Sequence, residues 1–370
     1  MVADRVEGGW RWLSSPLLRL SALGLACAVT WSCSTPVEPG SMTSTRGPSV
    51  TGEARAADPE AMASLPSTPV PTRTPDPKSL FSQVSGQLRD IQDQQGSAAA
   101  LAELDRLLEV EPAISRICHA IAHELGHRAL TIAQGKAAVA LAARNDTCGG
   151  GFTHGVVENA LADAKDPSRE MLRLCAPNQD GSCWHGIGHG LMFANEMDPD
   201  SSNTQCDKAP SRYLANRCGE GVYMQLFSPD LAAHHAGGDP TLARDPERAM
   251  RQCARTRATY RANCWFYAPI VWLTANPERF IDGISWCAQA RPKSAAEMCA
   301  KGMGSRAVKY HPDDLRIAAT TCAAAGRLQD PCLLGMASYW SVHHKGAVAP
   351  GDVCGHLPVG PIRQRCSHVT

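Results

Sequence analysis

Between residues 118 and 127 the chain reads Cys-His-Ala-Ile-Ala-His-Glu-Leu-Gly-His. His119, His123 and His127 are four apart, so on a helix they form one stripe, each imidazole about 40° on from the last. Neighbours in such a stripe can chelate one metal ion from a single helix face. Glu124 stands beside His123, where a carboxylate could take the proton of a metal-bound water. His154, His185 and His189 follow, and the pairs His154/Glu158 and His185/His189 repeat the spacing of four. His119 and His127 lie about 12 Å apart along a helix axis. Those three therefore do not readily share one ion: either one lies outside the coordination shell, or two ions bind.

A lone buried histidine is more often a hydrogen-bonded core residue than a ligand, but six between residues 119 and 189, spaced in this way, form a candidate metal site. The stretch Ala122-His123-Glu124-Leu125-Gly126-His127 resembles the H-E-x-x-H active-site helix of zincin hydrolases. That resemblance implies His123 and His127 as zinc ligands and Glu124 as general base. A third ligand would be Glu158 in the gluzincin pattern, or His154, His185 or His189 in a histidine-only site. The metzincin continuation is absent, with Ala129-Leu130 in its place. The same imidazoles suit copper or non-haem iron equally well, so an oxidase or a metal-storage or delivery protein is the alternative. A third reading is a non-catalytic interaction solenoid with a peptide or glycan on its repeat surface.

The elements that must position these residues are written in the cysteines. Of sixteen, fourteen follow residue 117, and twelve of those fall into close pairs: Cys175/Cys183, Cys206/Cys218, Cys253/Cys264, Cys287/Cys299, Cys322/Cys332 and Cys354/Cys366. Cys118 and Cys148 remain as a seventh. An Asp, Asn or His followed by proline opens most units, at Pro167, Pro199, Pro246, Pro277 and Pro312, which fits an N-cap and first helical turn. Each unit thus reads as a helix ending near the first cysteine, a turn, and a second helix beginning near the second. Unit length is roughly 31–38 residues, with one longer unit carrying an insertion near 228–243, a period that belongs to helical-pair solenoids. In period and hairpin form the array resembles Sel1-like and tetratricopeptide-type repeats. The expected fold is all-α: a right-handed helical-hairpin solenoid over residues 84–370, stapled by disulfides, with the metal-site modules at 112–192 and leading helices at 97–110 and 112–134.

The second cysteine of most units is followed three residues later by glycine: Gly151, Gly186, Gly221, Gly302 and Gly335. Tyr267 takes that place after Cys264. Glycine there admits a neighbouring backbone. Six residues after the second cysteine, histidine occurs only in the first two copies, as His154 and His189. Met224, Ile270, Ser305 and, approximately, Tyr339 stand there later. Histidines of the scaffold would follow the repeat throughout; these track one location.

Residues 1–33 read as an export signal: Arg5, Arg11 and Arg19, then an apolar run from Leu20 to Trp31 of about 12 residues, too short to span a bilayer. The surroundings of Cys33 resemble a bacterial lipobox, which implies a lipid on Cys33 and membrane anchoring in the periplasm or at the cell surface. Residues 34–80, rich in Pro, Ser, Thr and Gly, read as a disordered tether. A high, even cysteine count agrees with export. Formal charge is balanced at +0, so nothing directs the chain to nucleic acid. No nucleophile elbow, P-loop, Rossmann glycine pattern or haem-attachment motif occurs.

Overall fold

The computed structural model describes residues 77–145, 147–162, 164–175, 180–228, 244–343 and 349–370. The export signal, Cys33, the tether up to residue 76 and the insertion at 229–243 lie outside them. Every regular element among the described residues is helical. No helix among them is long and apolar enough to cross a membrane.

The chain begins with α1 (Pro77–Gln95) and α2 (Ser97–Val110), followed by a 3-10 turn at Pro112–Arg116, α3 (Cys118–Ile132) and the short α4 (Ala137–Ala140). The units follow as α5 (Thr147–Ala162), α6 (Pro167–Cys175), α7 (Gly181–Ala194), α8 (Pro199–Cys206), α9 (Arg212–Phe227), α10 (Pro246–Arg255), α11 (Ala258–Tyr267) and α12 (Pro269–Ala275). The last are α13 (Phe280–Cys287), α14 (Lys293–Tyr310), α15 (Leu315–Ala323), α16 (Gln329–His343), α17 (Asp352–Gly355) and α18 (Pro361–Val369).

Three details depart from the sequence reading. The expected helix at 112–134 is broken, because Glu111 caps a separate 3-10 turn by accepting from the Ala113 amide. Helix α1 was not foreseen. Val84 and Leu88 are buried with Leu80, Phe81 and Ile91 packed beside them, and the Gln92 amide donates to the Leu125 carbonyl at 2.8 Å. Helices α13 and α15 start three residues after Pro277 and Pro312. Glu278 turns the chain through a positive φ of 63°, and the cap of α15 is Asp314, which accepts from the Arg316 amide. At Pro199 and Pro246 the aspartate before proline caps the helix as expected.

All seven cysteine pairs are disulfides. Six of them close loops of 8–12 residues and join one helix to the next, in four cases a short helix to the long helix after it. A bridge of this kind contributes about 2–4 kcal/mol by restricting the unfolded chain. The long helices α3, α5, α7, α9, α11, α14 and α16 pack side by side in chain order. The row curls round, so that α16 touches α5 and α14 meets the 3-10 turn. There Arg116 pairs with Glu278 at 2.8 Å and its Nε donates to the Tyr310 carbonyl.

Glycine sets the spacing of the row. A Cβ on Gly221 would lie 1.9 Å from the His185 carbonyl oxygen, and one on Gly155 would lie 2.1 Å from that of His123. Both are far inside van der Waals contact, so α7–α9 and α3–α5 pack backbone against backbone. Around them Trp184, Trp265, Trp286, Tyr223 and Phe152 are fully buried.

Gly221→Ala is expected to lower unfolding stability by about 1–3 kcal/mol, the usual cost of overpacking. Gly86→Ala, where a Cβ meets nothing, is expected to be neutral or slightly stabilising. Thermal unfolding of both variants, with equal loss in the two, would refute the close-packing account.

Candidate metal centre

Helices α3, α5 and α7 bring all six histidines and Glu158 to one place. On α3 the stripe His119, His123, His127 faces α5; His154 and Glu158 answer from α5, and His185 and His189 from α7. His123, His127, His154, His185, His189 and Glu158 are all buried, and His119 is partly so.

The ring nitrogens are held from behind. His119 Nδ1 donates to the Cys148 carbonyl at 2.7 Å. His123 Nδ1 faces Glu158 Oε2 at 2.7 Å. His189 Nδ1 donates to Gln225 Oε1 at 2.8 Å, and His154 Nε2 meets Ser182 Oγ at 3.1 Å. A carbonyl, a carboxylate and an amide oxygen accept only, so in the neutral rings of His119, His123 and His189 the other nitrogen, Nε2, carries a lone pair. Those lone pairs converge. His119 Nε2 and His123 Nε2 are 3.1 Å apart, and His154 Nδ1 is 3.4 Å from His119 Nε2. His189 Nε2 is buried with no hydrogen-bond partner. One nitrogen from each of the four falls within 4.8 Å of the others. Two nitrogens bound at about 2.0–2.1 Å to one tetrahedral ion stand roughly 3.3 Å apart, so the spacing suits a cation and is poor for bare lone pairs.

A second group shares His123: with His127 and Glu158 it also brings ligand atoms within 4.8 Å. Glu158 Oε1 lies 3.3 Å from His127 Nε2. The stripe is thus divided as its length requires, with His119 in one group, His127 in the other, and His123 between.

Local backbone serves this arrangement. Cys148, Gly149 and Gly150 all have positive φ before α5 becomes regular at Gly151. A left-handed conformation costs a non-glycine residue about 1–2 kcal/mol. At Cys148 it is held beside the bond to Cys118, with its carbonyl aimed at His119.

Burial disfavours protonated rings. His119, His154 and His185 are held well below the usual imidazole range, first by burial and then by neighbouring positive charge. His189 is pushed down to about 4 for the same reasons. Burial would also depress His127, but the Glu158 hydrogen bond and charge outweigh it and raise that ring. Burial would raise Glu158; His123 and His127 override it and keep the carboxyl well below its ordinary value. The rings of His119, His154, His185 and His189 are therefore neutral and Glu158 is ionised, the protonation states a metal requires.

His185 stacks on His154 with ring centroids 4.6 Å apart and has both nitrogens buried without a hydrogen bond. It lies beside the four converging nitrogens rather than among them. Glu124 is half-buried on α3. Its charge reaches His127, but its carboxylate is not one of the converging groups. Cys118 is bridged and offers no thiolate. Sequence reasoning missed Gln225, Ser182 and the Cys148 carbonyl. Of these only Gln225 left a trace: it stands seven residues after Cys218, where Gly155 and Gly190 stand after Cys148 and Cys183.

No family model, no curated protein and no solved structure matches the chain.

The depressed imidazoles set a pH dependence for the metal-free protein. Rings whose folded pKa lies below the unfolded value of about 6.5 take up protons more readily in the unfolded chain. Stability is thus unaffected above that value and falls as pH drops through it, down to about 4 where His189 titrates. Denaturant unfolding of the metal-free chain at pH 7.5 and pH 5 should show the loss, and His189→Gln should shrink it. A flat profile would exclude buried neutral rings.

Proposed function

We propose that this is an exported metalloprotein whose resident ion is held by His119, His123, His154 and His189. The observation that carries the reading is the convergence of lone pairs whose tautomers are fixed from behind by Cys148, Glu158 and Gln225. An oxygen behind each imidazole is the usual support of a metal-bound histidine. Imidazole nitrogens bind zinc tetrahedrally; copper and iron also accept imidazole. In this reading Glu158 orients His123 and balances the charge of the ion. The seven disulfides support an oxidising compartment, and a lipid on Cys33 would tether the protein to a membrane there. A peptide or glycan on the repeat surface is not needed by this reading.

A zinc-hydrolase reading has its own support in the His123, His127 and Glu158 group. Two imidazoles and a carboxylate would leave a coordination position for water, and Glu124, next to His123 in sequence, would be the base that takes its proton.

Elemental analysis of protein secreted under oxidising conditions tests both. One ion per chain, lost in His123→Ala and in His189→Ala, is the expected result. Glu158→Gln should keep the stoichiometry while weakening affinity about 10- to 100-fold, and Glu124→Gln should leave affinity unchanged. If ester or peptide turnover is found, and Glu124→Gln abolishes it with the metal retained, the hydrolase reading stands. Absence of any metal that titrates into the wild-type protein would overturn both.

A further inference from the structure

The row of long helices carries chemistry on its inner face beyond the histidines. In the unit of α14 Ser305 takes the place of the ligand histidines, and two other positions of the metal centre are filled by cations. Lys309 follows Cys299 by ten residues, as Glu158 follows Cys148. Arg306 follows Cys299 by seven, the place Gln225 takes after Cys218. Tyr267, the residue that breaks the glycine signature, is the platform between them and the histidines. The Arg306 guanidinium lies over its ring, 5.3 Å from the centroid, and the same ring meets His185 edge-on at 6.3 Å.

Arg306 is 4% exposed. Among the described residues its guanidinium has no carboxylate partner and no hydrogen bond, and its Nε is buried and unsatisfied. Neither has the Lys309 ammonium an anionic partner there, although its backbone carbonyl accepts from Ser115. Arg217, by contrast, is paired with Glu220. Burying a guanidinium without an anion is costly, and the stack on Tyr267 offsets only part of that. Burial, and then the Arg306 charge, push Lys309 down to about 7. Lys309 also reaches the other side of the histidine cluster, where its charge helps hold His119 neutral.

We propose that Arg306 and Lys309 form a binding site for a small oxyanion, bearing a carboxylate or phosphate group, on the inner face of the row beside the histidine centre. A guanidinium binds either group through paired N–H donors, and an ammonium adds a point charge. The anion supplies the missing countercharge, and Tyr267 places it next to the His185 ring. A metalloenzyme built on this scaffold would act on small anions; a metal carrier would take up its ion with an anionic companion. The site goes beyond the metal reading and does not depend on it.

The test is isothermal titration calorimetry at pH 7 with two probes, inorganic phosphate and succinate, on the full chain in chelator-treated and metal-loaded form. At least one probe should bind the chelator-treated protein, and which one binds tells phosphate from carboxylate recognition. Arg306→Gln and Lys309→Gln should each weaken binding at least about 10-fold. Arg316→Gln, which removes an exposed cation paired with Asp314, should leave it unchanged. If Arg306→Gln does not fold, Lys309→Gln, the less buried of the two, decides. Failure of both probes to bind wild type overturns the proposal. So does binding that appears only with metal and is indifferent to either variant, since the anion would then belong to the ion. Anion binding retained in a chain that takes up no metal would sink the metal reading alone.

Discussion

Backbone-to-backbone contact between consecutive long helices is the constraint on which the rest depends. Histidine side chains are short, and nitrogens on neighbouring helices come within about 3 Å only when the axes are unusually close. At Gly155 and Gly221 any side chain would collide with the carbonyl of the helix before it. Removing Cβ there lets α3, α5, α7 and α9 approach, and the imidazoles interdigitate as a consequence. The short helices and their disulfides lie behind the row and hold each long helix in its place.

Electrostatics then acts on what packing has brought together. Six imidazoles and one carboxylate occupy a volume that excludes water, where a charge without a partner is expensive. The rings stay neutral except where Glu158 can answer a proton, and the hydrogen bonds behind them turn the lone pairs inward. In the same interior α14 buries Arg306 and half-buries Lys309, neither with a carboxylate partner among the described residues. The positive charge of α14 thus lies beside the neutral nitrogens, with Tyr267 touching both Arg306 and His185.

Much of this was legible in the sequence because it is periodic. Close cysteine spacing made six disulfides visible and left Cys118 and Cys148 as the remaining pair, and the spacing of four made the histidine stripe visible. The H-E-x-x-H stretch lies on α3, and the carboxylate among the converging groups is Glu158, one helix away from Glu124. What stayed hidden is not periodic. Gln225 and the Cys148 carbonyl act across helix contacts that no local pattern encodes, and the carbonyl has no side-chain signature at all. Helix α1 does carry an apolar stripe, Leu80, Phe81, Val84, Leu88 and Ile91, packed on the core, but it runs across the boundary at residue 80 where the sequence reading ended the tether.

The order of the cysteines has a consequence for biogenesis. Fourteen cysteines allow on the order of 10⁵ pairings, yet each one here bonds the next in the chain, from Cys118–Cys148 to Cys354–Cys366. A polypeptide threaded through a membrane from its N-terminus would present each partner immediately after its mate, with the following pairs still on the other side. Oxidation in order of emergence then yields the native set without reshuffling, and the scaffold can be completed module by module during translocation.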